Sequence, residues 1–422
     1  MATLATSEAP RRRTPVLRLG ARSWPVVLPS LGDPRLHVAL VIGSVQVLGQ
    51  VALGFELSVA QILVCLGVCA AIEVGAALWR DHVLLWPASA LLTGNSVALI
   101  MRTAGTRHGD WWSLQGIEVF VAACVVSMLS KLLLRRGGRH VFNPSNLGLV
   151  AAFTLFGTQR ANPQDLWWGP LSPGLWVTLA VIVCGGLVIA RRLRVLGLVA
   201  GFWVAFAACV GVVAASGHCI AARWHVGAVC GEDYWSAMAA SPEVLVFAFF
   251  MITDPRTAPE GRAARAAFGA ATGFLAALLS APLQTEFATK VAVLAALVVV
   301  CAAMPLAPLL RRIPRAAIVP AAAGALLLAA LPAHGSAAVP APPAPPATTA
   351  ALPPITVSAE ARQTAGVDAQ TARAIVAAAL RQAPGGVLHA TVVLVRNPLR
   401  PQDAPRLAVE LAGPGWTRTV TP

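Results

Sequence analysis

The sequence predicts an all-α membrane protein with about ten transmembrane helices. The chain has 422 residues, of which 57% are hydrophobic and only 12% are charged. A soluble protein carries roughly twice that charged fraction. Several apolar runs approach or exceed the ~18 residues of a candidate transmembrane helix. The net charge of +14 does not indicate nucleic-acid binding, because the arginines stand in short clusters between apolar runs, as they do where membrane topology is encoded.

Ten apolar segments precede residue 313. Most are long enough to cross a bilayer as straight helices, whereas the fifth and the eighth are short. The predicted spans are residues 36–55, 59–79, 84–101 and 117–134, a short run ending at residue 157, and residues 174–190, 195–216, 241–252, 264–279 and 288–310.

Composition divides the chain into five parts. Residues 1–35 form a basic tail and residues 36–312 the membrane domain. Residues 313–334 form an additional apolar segment, which is either a transmembrane helix or a signal-like sequence. Residues 335–355 are a Pro/Ala-rich linker. Residues 356–422 have the mixed helix and strand pattern of a small module.

The basic residues predict the orientation of the chain. With the N-terminus in the cytoplasm, the cytoplasmic segments hold all but five of the Lys and Arg residues before residue 334; the exceptions are Arg102, Arg107, Arg160, Arg223 and Lys290. This bias is typical of multi-pass proteins of a bacterial-type plasma membrane. It predicts that the C-terminal module lies outside the cytoplasm. The membrane domain is expected to be surrounded by the lipid bilayer.

The stretch 249–259, F-F-M-I-T-D-P-R-T-A-P, ends a span that is too short to cross a bilayer. Freed backbone groups at such a break must be buried in protein or line a wet cavity. Thr253, Asp254, Arg256 and Thr257 are therefore candidate binding residues, with Asp254 able to bind a cation or the polar edge of a ring. The alternative is structural: Asp254 caps the next segment and pairs with Arg256 or Arg262.

A second interrupted segment occurs at residues 91–102, where Thr93, Asn95 and Ser96 form a polar patch. Interrupted segments in corresponding places of two halves are typical of inverted repeats that bind a ligand near the midplane. We call residues 249–259 the T-D-P stretch. Thr93, Asn95 and Ser96 are its expected counterpart in the other half of the chain.

Asn143, Pro144, Ser145 and Asn146 open a short predicted helix. Their side chains suit a helix N-terminus, which either binds a phosphate or another anion or is simply capped.

Glu73 lies inside a span, where carboxyl groups are costly and mark ion or proton pathways.

Cys219 and Cys230 lie in a polar loop with His218 and His225. On the outer face a disulfide is the simplest state. A metal or redox pair and free thiols are the alternatives, although the spacing does not match the usual zinc patterns.

Two motifs resemble those of the NqrB/RnfD family: R-H-V-F-N-P-S-N-L-G at residues 139–148, and the T-D-P stretch. Members of this family are membrane subunits of sodium- or proton-linked, flavin-containing electron-transport complexes. The resemblance covers residues 36–312. The stretches 108–113 (H-G-D-W-W-S), 142–148 and 216–230 are similar to the UnbU branch, whose members are associated with enediyne natural-product gene clusters.

The resemblance implies two inverted five-helix repeats with short broken helices at the centre, and partner subunits that are membrane or redox proteins. The family also carries FMN covalently on a threonine of a Ser-Gly-Ala-Thr-type motif. Residues 216–219 read S-G-H-C and offer no threonine, so covalent FMN is not implied, while non-covalent FMN or riboflavin stays open.

Two functions follow. The protein is a redox- or ion-linked transport component, at most one subunit of a membrane oxidoreductase or ion-translocating complex. The alternative is a flavin-independent transporter of a small molecule or natural-product precursor.

Overall fold

The computed structural model describes residues 15–19, 22–30, 32–169, 171–225, 228–306, 352–380, 387–395, 405–413 and 416–420. The predicted apolar run at residues 316–333 lies outside these ranges, as does nearly all of the predicted linker. The described residues comprise a helical membrane domain and the C-terminal module.

The membrane domain is built from helices that follow the apolar runs. They are α1 (Pro34–Val51), α2 (Val59–Arg80), α3 (Ala88–Ile100), α4 (Ile117–Leu133), α5 (Pro144–Phe156), α6 (Pro173–Arg192), α7 (Leu196–Ala215), α8 (Gly231–Ala240), α9 (Pro242–Val246), α10 (Arg262–Ser280) and α11 (Glu286–Ala303).

Within the described ranges, six elements are long and apolar enough to cross a membrane: α2, α6, α7, the α8–α9 element with its π-helical end, α10 and α11. This is the architecture of a polytopic membrane protein. The number of ten spans and the repeat layout stay predictions.

Local sequence explains where several helices begin. Ser58 and Gln61 exchange hydrogen bonds in a capping box at the start of α2. Asn143, Ser172 and Ser241 each accept a backbone N–H and precede a proline in the first turn. Proline suits this position because its missing N–H would have no partner there.

Short strands connect the helices. A three-stranded sheet contains β1 (Val16–Leu19), β2 (Arg22–Val27) and β3 (Leu84–Leu85). Antiparallel pairs join β4 (Met101–Thr103) to β7 (Ala161–Pro163), β5 (Arg135–Arg136) to β6 (Arg139–His140), and β8 (Cys219–Ala221) to β9 (Ala228–Cys230).

Glycine allows the closest helix contacts. A Cβ at Gly269 of α10 would lie 2.1 Å from the Leu198 carbonyl oxygen of α7, and one at Gly273 would lie 2.4 Å from that of Phe202. Small residues let helix backbones approach in membranes, where van der Waals packing drives association.

The outward faces of the helices are apolar. Leu40, Leu155, Trp176, Val188 and Val204 are each more than half exposed. A soluble protein rarely exposes such a large apolar surface, so these faces contact lipid.

The broken span differs from its predicted form. The predicted spans 195–216 and 241–252 leave residues 217–240 as a connecting loop, yet residues 231–240 form α8. The chain turns at Ser241, continues as α9, and widens into a π-helix at Phe247–Met251. The serine cap and the following proline end α8 and start α9, so the interruption begins earlier than the T-D-P stretch.

The polar patch in α3 also differs from expectation. Thr93, Asn95 and Ser96 lie within one continuous helix of 13 residues. The segment is short, but it is not interrupted at its polar residues. Gly94 lets the helix pack closely against the Cys65 backbone of α2, and the polar side chains beside it do not break the helix.

The C-terminal module has a four-stranded sheet of order β10-β11-β12-β13 (Ile355–Val357, His389–Val395, Arg406–Gly413 and Trp416–Val420). Two helices accompany it, α12 (Ala359–Ala365) and α13 (Ala369–Leu380). Val376, Val392 and Val409 are buried in its core. The sequence pattern is helical at residues 366–382 and strand-like at residues 387–396 and 406–411, which agrees with α13, β11 and β12. Helix α12 and strands β10 and β13 were not predicted by these patterns.

The α7–α10 contact gives a stability prediction. Gly269→Ala should destabilise the protein by about 1–3 kcal/mol through overpacking, and so lower its melting temperature in detergent. Gly67→Ala in α2 is the matched control, because its new methyl group would meet nothing within 4 Å. Equal melting temperatures for the two variants would contradict the close approach of α7 and α10.

Candidate functional site

The two predicted motifs meet in the folded chain. The Asn143 Nδ2 donates to the Met251 carbonyl oxygen at 2.9 Å, while the Asn143 Oδ1 accepts from the Ser145 hydroxyl and from the Asn146 N–H. The cap of α5 is thereby joined to the end of the π-helix, whose last carbonyls lack helical partners. We call residues 143–146 together with residues 253–257 the motif site.

Asn146 continues this connection to α11. Its Nδ2 donates to the Leu294 carbonyl oxygen at 2.9 Å. Its Oδ1 accepts no hydrogen bond among the described residues, although the residue is only 1% exposed. An unsatisfied buried polar atom costs about 1–3 kcal/mol, which marks this position as a candidate contact for a ligand or an ion.

Asp254 is held from two sides. Its Oδ2 lies 2.7 Å from the His140 Nε2, and its Oδ1 accepts the Arg256 N–H at 2.9 Å. The Arg256 side chain is exposed. Arg139 reaches the same turn through the Pro255 carbonyl oxygen and the Glu260 carboxylate. His140 belongs to the R-H-V-F-N-P-S-N-L-G motif, but the sequence did not indicate that it pairs with Asp254.

The two threonines of the motif site serve the local backbone. The Thr253 hydroxyl donates to the Phe249 carbonyl oxygen at 2.6 Å, and the Thr257 hydroxyl donates to that of Asp254 at 3.2 Å. Pro144 and Ser145 are buried. The N-terminus of α5 is therefore packed into the protein and capped by Asn143.

The α3 residues stay apart from this network. The Thr93 hydroxyl donates to the Ser89 carbonyl oxygen within its own helix, and Asn95 and Ser96 are half-buried. Within the described ranges, no hydrogen bond joins these three residues to residues 253–257.

Glu73 is fully partnered. One carboxylate oxygen pairs with the Lys131 ammonium group, and the other accepts the Ala90 N–H at 2.9 Å. Lys131 also donates to the Ser89 hydroxyl at 2.9 Å. This ion pair joins α2 and α4 at the N-terminus of α3, where a carboxylate is favourable.

Cys219 and Cys230 form a disulfide across the β8–β9 pair. Burial lowers the pKa of His218, which packs edge-on against Tyr234. No group of His, Cys, Asp and Glu residues suited to a metal ion occurs in the part of the chain that the structure describes.

A second polar region was missed by sequence reasoning. It is a cavity of about 430 Å³ at the N-terminal end of α11, and we call it the charged cavity. Its charged lining residues are Arg102, Asp165, Arg223, Glu286 and Lys290. The sequence contained one signal, because three of these are basic residues in predicted outer segments.

The charges of this cavity are mostly paired. Arg102 binds Glu56 and lies 3.1 Å from the Asp165 carboxylate. Arg223 lies 2.8 Å from Glu56 and 3.8 Å from Asp165. Glu286 accepts the N–H of Arg223 and the indole N–H of Trp224, each at 3.1 Å, and the Leu166 N–H. The result is a network across several loops.

Lys290 is less well paired. Its Nζ lies 3.8 Å from the Glu243 carboxylate of α9 and has no hydrogen-bond acceptor among the described residues. The other oxygen of Glu243 accepts the Trp168 indole N–H at 3.1 Å. The buried Lys290–Glu243 pair connects α11 to the broken span.

Comparison with known families bears on this geometry. Residues 152–306, which include the T-D-P stretch, match the NQR2, RnfD, RnfE family. This match supports the resemblance to the NqrB/RnfD family that the sequence motifs indicated. The NqrB/RnfD match extends from α5 through α11, and thus includes most of the charged cavity. No curated protein matches the chain.

The residues present do not fit a covalent flavin at the expected S-G-H-C segment. Residues 216–219 supply no threonine, and Cys219 is already bonded to Cys230. The threonine that carries the flavin phosphate in the family is therefore missing from this segment.

The link between the two motifs gives a second prediction. Asn143→Ala loses both the cap and the Met251 bond, and should cost more than the ~1 kcal/mol typical of a lost cap. Asn143→Ser keeps a capping oxygen and should cost less. The control is Ser172→Ala, which loses only a cap. Melting temperatures in detergent report the order, and equal losses for Asn143→Ala and Ser172→Ala would contradict a stabilising Met251 bond.

Asp165 gives a pH prediction. Burial raises the pKa of its carboxyl, but Arg102, Arg223 and Lys290 outweigh burial and hold the pKa below its ordinary value. A lowered pKa contributes stability above the unfolded value of about 3.9, and that stability is lost as the pH falls through the folded value. The melting-temperature difference between wild type and Asp165→Asn should therefore stay constant from about pH 7 to 5 and shrink below about pH 4. A difference unchanged down to pH 3 would argue against this pairing.

Proposed function

We propose that the protein is a redox- or ion-linked membrane transport component of NqrB/RnfD type that works without covalent FMN. In this proposal, an ion or a small polar molecule moves along the buried face of α11. The motif site binds it at one end, and the charged cavity admits it at the other.

The observation that carries this proposal is the line of buried polar groups along α11. Lys290 and Thr289 lie in its first turns, and each has a side-chain atom without a hydrogen-bond partner among the described residues. Asn146 contacts the helix at Leu294, and Cys301 lies beside the Asn143 backbone. At 1.5 Å per residue, the distance from Lys290 to Cys301 is about 16 Å, or half of a hydrocarbon core of ~30 Å.

The free-energy cost of burying these polar groups in a membrane supports a functional role for them. Polar groups inside a membrane are expensive and occur mainly where they mark ion or substrate pathways. The adjacent α9 is short and ends in a π-helix, and interrupted helices near the midplane form binding sites in transporters. Glu73 and the patch at Thr93, Asn95 and Ser96 are proposed as the corresponding elements of the other half.

The biological setting rests on resemblance alone. The S-G-H-C segment and the H-G-D-W-W-S loop are similar to the UnbU branch, so we propose a natural-product pathway of enediyne type. We also propose a cytoplasmic N-terminus and an extracytoplasmic C-terminal module.

The alternative is a flavin-independent transporter for a small molecule or natural-product precursor. The charged cavity favours it, because its volume of about 430 Å³ falls within the ~300–1,000 Å³ of small-molecule sites.

Flux in proteoliposomes tests the pathway. Full-length protein should carry protons or sodium ions under an imposed membrane potential, read with pH- and sodium-sensitive dyes. Asn146→Leu should reduce the flux at least tenfold, because it removes the polar bridge at Leu294. The control is Thr154→Ala, an exposed position on the same helix. Wild-type flux no greater than that of empty liposomes would refute ion transport.

An absorption spectrum of the detergent-purified protein separates the two functions. Flavin released by denaturation would support the redox-linked function, and its absence would favour the transporter. Flavin that remains attached to the denatured chain would contradict the absence of covalent FMN.

A further inference from the structure

The charged side chains around the cavity differ in how many ion-pair and hydrogen-bond partners they have. Arg102 is used by Glu56, Asp165 and the Pro163 carbonyl oxygen. Arg223 is used by the same two carboxylates. Each guanidinium group therefore already faces two carboxylates, which offset its positive charge.

The carboxylates that line the cavity also have partners. Asp165 lies between two guanidinium groups. Both oxygens of Glu286 accept N–H groups. A cation entering the cavity would therefore find no free carboxylate among these residues.

Lys290 is the exception. It lines the cavity, its side chain is only 4% exposed, and its Nζ has no hydrogen-bond acceptor within the described ranges. Its nearest carboxylate, on Glu243, is 3.8 Å away, does not line the cavity, and is shared with the Trp168 indole N–H. A buried ammonium group without hydrogen bonds is strongly unfavourable, and an anionic ligand would satisfy it.

We propose that the charged cavity binds a small organic anion whose carboxylate or phosphate group pairs with Lys290. The rest of the ligand contacts the neutral polar side chains in the wall, Asn162 and Thr285 of the membrane domain and Thr417 and Thr419 of the C-terminal module. The inference rests on the proposed function and deepens it for the case of a small polar molecule, because it names the chemical class of the molecule that enters the charged cavity.

The C-terminal module takes part in this site. Thr417, Thr419 and Val420 belong to β13, an edge strand of the module's sheet, and all three line the cavity. They add hydroxyl groups and one apolar side chain without adding charge. The module thus closes one side of the cavity while Lys290 remains the anchor for the anion.

Binding to the full-length protein in detergent tests the proposal. The probes are sodium phosphate and sodium benzoate, titrated at constant ionic strength with sodium chloride as the balancing salt, and binding is measured by isothermal titration calorimetry. We expect saturable binding of at least one probe. Phosphate alone would identify a phosphate-type ligand, and benzoate alone a carboxylate.

Variants locate the site. Lys290→Met should weaken binding at least about tenfold, because a hydrogen bond to a charged group is lost, whereas Lys290→Arg should retain most of it. The double variant Lys290→Met/Glu243→Gln guards against misfolding, because it leaves no unpaired buried carboxylate, and it should bind as weakly as Lys290→Met. Arg160→Gln removes an exposed cation outside the cavity and should bind like the wild type.

Two results would overturn the proposal: no saturable binding of either probe, or equal affinity for the wild type and both Met variants. Binding is independent of flux. Binding without proton or sodium flux in proteoliposomes would refute ion transport and leave the anion site in place, whereas proton or sodium flux without binding would refute the anion site and leave ion transport in place.

Discussion

The hydrogen bond from the Asn143 amide to the Met251 carbonyl oxygen is the contact on which the centre of the membrane domain depends. A chain that stops being helical inside a bilayer must satisfy its freed backbone groups within the protein. Here the freed carbonyl at the end of the π-helix is met by the side chain that also caps α5. One asparagine therefore serves both the start of α5 and the end of the π-helix. Asn146 connects these two helix ends to α11 through the Leu294 carbonyl oxygen.

Helix α11 consequently has two polar ends of different character. At its N-terminus, charged residues from distant loops neutralise one another. Of the charged residues that line the cavity, Lys290 has a side-chain nitrogen without a hydrogen-bond partner among the described residues. Towards its C-terminus, the polar groups are amides and backbone carbonyls, with the His140–Asp254 pair nearby. Buried charges stabilise a fold only when well paired, so the poorly paired Lys290 is better explained by a ligand than by stability.

The sequence predicted part of the candidate site. The N-P-S-N and T-D-P stretches were recognisable because proline, asparagine and aspartate in apolar surroundings are locally conspicuous, and the structure brings these stretches together. Their partners were not recognisable, since His140 and Asp254 are separated by 114 residues. The charged cavity escaped notice because Arg102, Asp165, Arg223 and Lys290 come from separate segments, and no spacing along the chain relates them.

The sequence by itself determined that the chain is a polytopic membrane protein and where most of its helices lie, because hydropathy and capping depend on neighbouring residues. It also identified two polar motifs with a family resemblance. Only the tertiary structure decided that α8 extends the broken span, that α3 is continuous, and which buried polar groups find partners. Those outcomes depend on packing and on hydrogen bonds between residues far apart in the chain, which local patterns do not encode.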